Sequence, residues 1–406
     1  MNPLHVVGGV YWERCVHPRW NDIYGSAGRA ALAIATLDTP VVLQSYMNDC
    51  AVEIIKEKSF GLSQLQVMQE KIPDTVRFNY LHDMAVPDIQ GVPAQPYPSM
   101  RVTEEKVVRF GMLEGDAVVK AEWAVYDPQN AHNATPFGAN GSTAKRLALV
   151  LNAYEAGKMA GMPSEHPSRT APVLASQQGA EVVVVKMGAE GAFVWTSTKT
   201  RQVPAFRTSR VWKIGSGDCF VAHFANAWMH DDKTPIDAAV VASLATAYYC
   251  ETQGLPTADI LAAKGFAIVQ PSTAYQQGKR RQVYLAGPFF DLAQIWMVEQ
   301  ARANLQGMGL CVLSPYHDIG LGGAEDVVAH DLKGIQQSDL VLAITDGLDA
   351  GTVYEIGYAR ALGKPVIVYS ERHKGEALKM MEGSGCIICN NYTTALYSTL
   401  WEAVKM

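Results

Sequence analysis

Three carboxylic residues near the C-terminal end have types that suit nucleophilic and proton-transfer chemistry: Asp331, Asp349 and Glu355. An ionised carboxylate can attack an electrophilic carbon and form a covalent intermediate. A second carboxyl group can then move a proton on the leaving or incoming group. A lone glutamate near a helix start more often only complements that helix, so the surrounding pattern has to decide between the two interpretations.

The elements around Glu355 follow the pattern of a parallel sheet. Residues 339–345 form an apolar strand pattern, a glycine-containing turn and a helix pattern follow, and residues 365–369 form a second apolar strand. Open sheets of this kind bind ligands at the carboxyl ends of their strands, where Glu355 falls. The pattern predicts that Glu355 lies in the first helical turn, where the helix dipole favours an ionised carboxylate ready to act as a nucleophile.

Three motifs in this order resemble the nucleoside 2-deoxyribosyltransferase family. Residues 283–290 (VYLAGPFF) are similar to the family's first strand and base-binding turn, residues 331–339 to a segment that begins with an active-site aspartate, and residues 349–355 to an aspartate and nucleophilic glutamate six residues apart. The resemblance covers roughly residues 281–406. It implies a flavodoxin-like or Rossmann-like parallel sheet and an activity that needs no cofactor.

The resemblance also implies a role for each carboxylic residue. Glu355 would attack the sugar and form a covalent glycosyl–enzyme intermediate, while Asp331 would handle the proton or orient the reacting groups. Asp349 would hydrogen-bond the hydroxyl end of the sugar. Because an aspartate repels phosphate, Asp349 favours a nucleoside over a nucleotide as the substrate. Transfer to another base and hydrolysis by water both remain open.

Aromatic residues beside the first strand could provide the flat surface on which a nucleobase stacks. Phe289 matches a family position for the base, whereas Tyr284 and Phe290 are equally well explained as core aromatics. The polar turn after another strand could face the same pocket, although such a turn needs no ligand. The predicted substrate-binding residues are Tyr284, Gly287, Phe289, Phe290, His317 and Asp318.

The N-terminal part carries a second constellation within residues 213–226. Gly215, Ser216 and Gly217 form a turn that opens a helix, and free backbone N–H groups at such a turn bind anions such as the phosphates of ATP. Asp218 follows directly and is placed to accept a proton from an attacking hydroxyl. The combination predicts phosphoryl transfer.

This constellation resembles the ribokinase-like (PfkB) carbohydrate and nucleoside kinases, whose signature is a GAGD sequence before a helix. A valine-rich strand that ends in a GxxG turn at Gly188 and Gly191 is similar to the family's nucleotide-side strand. Asn152 and Glu155 match an NxxE element that organises magnesium and phosphate. The resemblance therefore implies a three-layer α/β/α domain that uses Mg²⁺ and ATP.

The sequence departs from the kinase family where the sugar should bind. Residues 6–12 lack the family's substrate-binding aspartate, and the glycine turn at residues 25–30 lacks its asparagine. Glu13 or Arg29 could replace the missing contacts, which the sequence leaves open. One alternative is a working kinase for a sugar or nucleoside with Asp218 as the base. The other is a non-catalytic nucleotide-sensing or assembly module that regulates the C-terminal enzyme.

Length and composition fit a two-domain globular protein. The chain has 406 residues, of which 48% are hydrophobic and 18% charged. Residues 270–281 are polar and free of apolar periodicity, as in a linker. We therefore predict a kinase domain over residues 1–278 and a deoxyribosyltransferase domain over residues 281–406.

Charge and cysteine usage narrow the classes of partner. A net charge of −6 gives no basic surface for nucleic acid, and no apolar run is long enough for a membrane span. The chain shows no signal-peptide pattern, and its seven cysteines are expected to be free thiols in a cytoplasmic protein. Cys386 and Cys389 form an isolated CxxC without a second pair, so we predict no metal there. The family resemblances imply small-molecule substrates and a homo-oligomer.

Overall fold

A computed structural model describes most of the chain, namely residues 2–62, 64–129, 134–263, 265–320 and 322–406. It divides into two compact units. Unit 1 comprises Met1–Thr208 and Trp212–Ile268, and unit 2 comprises Ser209–Val211 and Val269–Met406. The domain boundaries at residues 278 and 281 stay a prediction.

Unit 1 contains fifteen strands and seven α-helices among its described residues. The strands are β1 (Leu4–Val7), β2 (Trp12–His17), β3 (Trp20–Ile23), β4 (Val41–Met47), β5 (Leu65–Lys71), β6 (Arg77–His82), β7 (Asp88–Gln90), β8 (Met100–Phe110), β9 (Ala117–Asp127), β10 (Thr143–Asn152), β11 (Val182–Lys186), β12 (Ala192–Thr196), β13 (Thr200–Val203), β14 (Phe206–Arg207) and β15 (Ala267–Ile268). The helices are α1 (Gly25–Ala35), α2 (Asp49–Lys58), α3 (Ala153–Met159), α4 (Pro167–Gln178), α5 (Ser216–Ala225), α6 (Pro235–Thr252) and α7 (Ala258–Ala263).

The central sheet of unit 1 has nine strands in the order β13-β12-β11-β10-β9-β8-β1-β4-β5. All neighbours pair in parallel except at β12, which runs antiparallel to β11 and β13. Successive strand residues point to opposite faces, so Val6 packs in the core formed with α1, α5 and α6 while Val7 packs in the core formed with α3 and α4. Both faces are covered in the middle of the sheet, which explains why β1, β4 and β11 are buried along almost their whole length.

A smaller sheet, the lid sheet, has the order β3-β2-β6-β7. Strands β2 and β6 pair in parallel, whereas β3 and β7 pair antiparallel to them at the two edges. In the sequence, strands β2 and β3 of the lid sheet lie between β1 and α1, and β2 comes soon after the carboxyl end of β1.

Unit 2 is built on one parallel sheet of five strands. Its strands are β16 (Gln282–Ala286), β17 (Cys311–Leu313), β18 (Leu340–Ile344), β19 (Val366–Tyr369) and β20 (Ile387–Cys389), and its helices are α8 (Thr273–Gln276), α9 (Leu292–Gly307), α10 (Pro315–Asp318), α11 (Ala324–Gln337), α12 (Ala350–Ala361), α13 (Lys379–Gly383) and α14 (Tyr392–Lys405). The strand order is β17-β16-β18-β19-β20. The order reverses between β16 and β18, and such a switch point opens a crevice at the carboxyl ends of the strands.

Helices cover both faces of this sheet. Helices α11 and α12 share one apolar core with β16, β18 and β19, and α9 and α14 contact each other and the strands from the other side. The predicted fold class is thereby confirmed: a three-layer α/β/α unit precedes a smaller parallel-sheet unit.

The seven cysteines are free thiols. Cys50 at the start of α2 and Cys311 at the start of β17 are exposed, and the other five are buried or half-buried. Burial raises the pKa of the Cys386 thiol. None of the helices among the described residues is long and apolar enough to cross a membrane.

Candidate functional site

Glu355 lies on α12, which begins after the carboxyl end of β18. The side chain of Asp349 caps this helix, accepting hydrogen bonds from the backbone N–H of Thr352 at 2.8 Å and from its hydroxyl at 3.0 Å. The helix therefore starts at Ala350, and Glu355 falls in the second turn rather than the first. The predicted first-turn position was wrong because the aspartate cap fixes the helix start, and the helix dipole acts mainly on the first turn.

Tyr284 on β16 holds the carboxyl group of Glu355. Its hydroxyl donates a hydrogen bond of 2.5 Å to Oε1 of Glu355. Its ring is fully buried in the core beneath α11 and α12, and a Cβ at Gly334 would lie 3.2 Å from the ring. The predicted stacking role of Tyr284 was therefore wrong, because the ring has no exposed face and only the hydroxyl reaches the site.

The Glu355 carboxyl is not the readily ionised group that the sequence pattern predicted. Burial raises its pKa to about 7, and the negative charges of Asp331 and Asp349 act in the same direction, while the Tyr284 hydrogen bond opposes them. Asp331 and Asp349 thus lie close enough to act on Glu355 electrostatically. The structure brings the three predicted carboxylic residues together at one site, where Glu355 gains and loses its proton near neutral pH.

Asp331 lies half-buried on α11. Its Oδ1 atom is buried and has no hydrogen-bond partner among the residues that the structure describes. Burial raises its pKa, and the neighbouring His330 opposes this. A desolvated carboxyl oxygen without a protein partner is costly unless a ligand or water satisfies it, so Asp331 is suited to bind a substrate group.

An aromatic cluster follows β16 and β17. The ring of Phe289 is half-buried between Phe290, whose ring centroid lies 5.8 Å away, and Tyr316, at 5.5 Å. Phe290 is 74% exposed. Sequence reasoning missed Tyr316, although its position between Pro315 and His317 in the turn after a strand was a usable signal. The cluster offers accessible aromatic surface for a flat ligand.

The remaining predicted substrate residues of unit 2 have structural partners. His317 contacts the Ser314 hydroxyl at 3.0 Å and the Glu299 carboxylate at 2.8 Å, and its ring packs edge-on against Tyr316. Asp318 accepts a hydrogen bond from the backbone N–H of Ser314 and so closes its own turn. A Cβ at Gly287 would lie 3.2 Å from the Cβ of Ile344, so close packing favours a glycine directly after β16.

In unit 1, the glycine turn opens α5 as the sequence predicts. Gly215 caps the helix with a left-handed backbone (φ of +78°), and Ser216, Gly217 and Asp218 form the first turn. The Lys213 ammonium donates a hydrogen bond of 3.2 Å to the Ser216 hydroxyl. A helix start of this kind presents backbone N–H groups to an anion.

The Asp218 carboxylate already has two partners. Oδ2 accepts a hydrogen bond of 2.7 Å from the Arg29 guanidinium, and Oδ1 accepts one of 2.7 Å from the Gln129 amide. Arg29 is fully buried and also pairs with Glu13, while the Ser26 hydroxyl holds Gln129. Among the neighbours of Asp218, the sequence analysis named only Glu13 and Arg29, and it linked neither of them to Asp218.

Arg29 gave a signal that could have revealed this pairing. It is the only charged residue in the otherwise small and apolar helix α1. A charge at the centre of such a buried helix needs an opposite charge to face it. The sequence cannot say which carboxylates those are, because Asp218 lies 189 positions further along the chain.

The predicted magnesium residues cap a helix. Asn152 and Glu155 form a reciprocal capping box at the start of α3, each with a hydrogen bond of 2.9 Å to the other's backbone N–H. Among the described residues, no cluster of three or more histidines, cysteines or acidic residues could hold a metal. Magnesium keeps several of its waters, so this pair fits an ion held through water rather than directly.

The predicted phosphate-side glycines support a turn between two strands. Gly188 and Gly191 bracket a short 3₁₀ turn between β11 and β12, and both have left-handed backbones. A Cβ at Gly191 would lie 2.0 Å from the Val203 carbonyl oxygen, so close strand packing alone requires a glycine. Nearby, Lys186 pairs with buried Asp127 at 2.6 Å, and burial raises the pKa of Asp127 while the charge of Lys186 opposes this.

A cavity of about 540 Å³ in unit 1 brings several of these residues together. Its floor includes Gly215, Gly217 and Asp218, and Asn152 and Glu155 line one side. Aromatic and apolar residues line the remaining wall, many of them from the lid sheet and its loops: Tyr11, Phe78, Tyr80, Val86, Pro87, Ile89, Met112, Leu113 and Ile214. The size suits a small-molecule ligand.

Comparison with known proteins identifies both units. Residues 143–259 match the family model of pfkB family carbohydrate kinases, and residues 283–388 match that of nucleoside 2-deoxyribosyltransferases. The crystal structure of fructokinase from Vibrio cholerae, with fructose, ADP and calcium bound, is 15% identical and has a TM-score of 0.51. That similarity covers 65% of this chain and 98% of the fructokinase, and it shows the shared fold.

Two relatives show sequence similarity. The 5-hydroxymethyl-dUMP N-hydrolase of Rattus norvegicus is 35% identical over 69 residues, which cover 17% of this chain and only 42% of the hydrolase. An uncharacterised protein of Ureaplasma parvum is 29% identical over 156 residues, which cover 31% of this chain and 99% of that protein. The chain therefore contains a pfkB carbohydrate kinase domain followed by a nucleoside 2-deoxyribosyltransferase-like domain.

Proposed function

We propose that unit 2 cleaves the N-glycosidic bond of (deoxy)nucleosides through a covalent intermediate on Glu355. The observation that carries this proposal is the Glu355 carboxyl group itself, which is half-buried, held by the Tyr284 hydroxyl at 2.5 Å and placed beside Asp331 and Asp349. Its pKa of about 7 makes the ionised form available at neutral pH in a weakly solvated and therefore reactive state.

The reaction would proceed in two balanced steps. The Glu355 carboxylate attacks C1′ of the sugar, the C1′–N bond breaks, and its electron pair leaves with the base. Asp331 donates a proton to the departing nitrogen, as its raised pKa and its unpartnered Oδ1 atom suit. A second base or a water molecule then attacks C1′ and loses its proton to Asp331, which releases Glu355.

Binding of the two halves of the substrate would use different parts of the site. The base would stack on Phe289 and Phe290, with Tyr316 behind them. Asp349 would accept a hydrogen bond from the sugar's hydroxyl end while it caps α12. Its charge supports a nucleoside over a nucleotide, unlike the substrate in the name of the rat relative.

Product analysis tests this function. The full chain is incubated with each deoxynucleoside, with and without a second free base, and the products are separated by chromatography. A new nucleoside establishes a transferase, and free base alone establishes a hydrolase. Cleavage of deoxynucleoside monophosphates in place of nucleosides contradicts the role of Asp349, and no cleavage of any of them contradicts the proposal.

For unit 1 we propose binding of a sugar or nucleoside in the 540 Å³ cavity. This is the common requirement of two candidate functions: phosphorylation with Mg-ATP, and non-catalytic sensing or assembly. The glycine turn and the Asn152–Glu155 pair support the first, whereas the engagement of Asp218 by Arg29 supports the second. Titration of the protein with nucleosides and sugars tests the binding. A homo-oligomeric state and a cytoplasmic location stay predictions.

A further inference from the structure

Asp218 is the group that phosphoryl transfer in unit 1 would need as a base. A general base must offer a free lone pair to the proton that it removes, within hydrogen-bond distance of the substrate hydroxyl. Here Oδ2 faces the Arg29 guanidinium and Oδ1 faces the Gln129 amide, each at 2.7 Å. Both partners are donors and each holds one oxygen in place, so a substrate hydroxyl has to fit beside these hydrogen bonds or displace one of them.

The surroundings of Arg29 make this arrangement persistent. The guanidinium is fully buried and pairs with Glu13 as well as with Asp218. It also lies against the glycine turn, because a Cβ at Gly215 would come within 2.1 Å of the guanidinium carbon. Its Cζ atom lies 4.7 Å from the centre of the Tyr24 ring. Separating a desolvated, hydrogen-bonded ion pair of this kind is costly, so Asp218 stays engaged.

The geometry points to a unit 1 that holds an uncharged nucleoside in its cavity without phosphorylating it, because Arg29 keeps Asp218 from acting as a base. This inference rests on the binding function proposed for unit 1. It specifies a nucleoside as the ligand and predicts that no phosphoryl transfer follows binding. Arg29 is here a positioning residue that acts through Asp218.

The cavity wall favours a flat ligand. Tyr11, Phe78 and Tyr80 form a continuous aromatic face, with ring centroids 5.1 Å apart for the first pair and 6.4 Å apart for the second. All three residues line the cavity. Every nucleobase can stack on such a face, whereas a free sugar presents no comparable surface.

The charges of the lining favour an uncharged ligand. The charged residues of the lining are Glu13, Glu155 and Asp218, all acidic. Arg29 offsets part of this charge from behind the wall. A nucleoside meets no repulsion here, and its hydroxyls can donate to the carboxylates, whereas a phosphate placed away from the glycine turn would face these three acidic residues.

A binding experiment tests the ligand class. Isothermal titration of the Phe289→Ala protein, which weakens the site of unit 2, uses adenosine, 2′-deoxyadenosine and thymidine together with their 5′-monophosphates. We expect at least one nucleoside to bind, its affinity to fall at least tenfold on addition of Phe78→Ala, and its monophosphate to bind at least tenfold more weakly. A monophosphate that binds as tightly as its nucleoside overturns the inference.

A transfer experiment tests whether Asp218, held by Arg29, acts as a base. The nucleoside that binds is incubated with Mg-ATP and either the wild-type protein or Asp218→Asn, and the monophosphate product is quantified. We expect no product in the wild type above that of Asp218→Asn. Product that depends on Asp218 overturns the inference while leaving the binding function intact. If no nucleoside or sugar binds in a Phe78-dependent manner, the proposed binding function is wrong and the inference falls with it.

Discussion

The two units each place a carboxylic residue in the first two turns of a helix, Glu355 on α12 and Asp218 on α5, but they give it different partners. Glu355 in unit 2 receives one hydrogen bond from the neutral Tyr284 hydroxyl and has negative neighbours. Asp218 in unit 1 receives hydrogen bonds on both oxygens, one of them from the buried cation Arg29. A family motif therefore locates a carboxyl group, while its partners decide what that group can do.

The difference is electrostatic. Burial without a cation raises the pKa of Glu355 to about 7, so its carboxylate is poorly stabilised and can form a bond to carbon. A guanidinium at 2.7 Å stabilises the carboxylate of Asp218 instead. In unit 1, Arg29 places a positive charge next to the Asp218 carboxylate. In unit 2, the groups that act on Glu355 are the neutral Tyr284 hydroxyl and the two acidic residues Asp331 and Asp349.

Replacing Glu355 by Gln should remove the proposed nucleophile of unit 2 and have the largest effect on activity. Because an amide cannot form the glycosyl ester, we expect cleavage of deoxynucleosides to fall at least about a thousandfold. The measurement is the initial rate of base release. Glu376→Gln is the matched control, because Glu376 is exposed and forms a surface ion pair with Lys379. Activity near the wild-type level in Glu355→Gln would rule out the nucleophile.

Replacing Arg29 by Ala should remove the buried ion pairs of unit 1. It leaves Glu13 and Asp218 buried without their cation, which should lower the free energy of unfolding by about 3–5 kcal/mol. Urea denaturation followed by the fluorescence of the buried tryptophans of unit 1 measures this. Arg169→Ala removes an exposed ion pair with Glu165 and should change stability by less than about 1 kcal/mol. Equal effects of the two substitutions would contradict the buried ion pair.

The pH dependence of cleavage should reveal the effect of the Tyr284 hydroxyl on the pKa of Glu355. Glu355 must be ionised to attack, so kcat/KM should fall as the pH drops through about 7. The Tyr284 hydroxyl lowers the pKa of Glu355, so Tyr284→Phe should move the midpoint to higher pH and reduce kcat about tenfold.

Tyr358→Phe is the control for this shift, since the Tyr358 hydroxyl contacts Gln336 rather than Glu355. Its profile should keep the wild-type midpoint. A midpoint in Tyr284→Phe that stays in place or moves down would contradict the assigned hydrogen bond.

Asp349→Ser should have the smallest effect, on the choice of substrate. A serine still caps α12, so the fold should be kept, but the charge that repels phosphate is lost. We expect the ratio of kcat/KM for deoxynucleoside monophosphates to that for nucleosides to rise about five- to tenfold. The comparison is made well above the midpoint for Glu355, because Asp349 also raises its pKa. An unchanged ratio would show that Asp349 does not select against phosphate.

Much of the fold follows from local patterns. Apolar strand runs separated by helix patterns predict parallel sheets with both faces covered, and the structure has them in each unit. The same logic placed Asp349 and Glu355 after β18, and the resemblance to the deoxyribosyltransferase family grouped them with Asp331. The exact start of α12 needed the capping role of Asp349, which was visible in the sequence but had been assigned to the substrate alone.

The partners of the carboxyl groups could not be predicted, because they depend on contacts between distant parts of the chain. Tyr284 and Glu355 are 71 positions apart, and Arg29 and Asp218 are 189 apart. Whether Tyr284 would show its ring or its hydroxyl to the site depends on the space left by Gly334 on another helix. The sequence identified the candidate reacting groups, whereas their hydrogen-bond and ion-pair partners were visible only in the three-dimensional structure.

The distribution of thiols makes the chain convenient for spectroscopy without further engineering. Cys50 and Cys311 are the exposed cysteines, and one lies in each unit. Thiol-reactive donor and acceptor dyes should therefore attach preferentially at these two positions. Energy transfer between the dyes would then report whether the distance between the two labels changes when a nucleoside is added, with Cys50→Ser and Cys311→Ser giving singly labelled references.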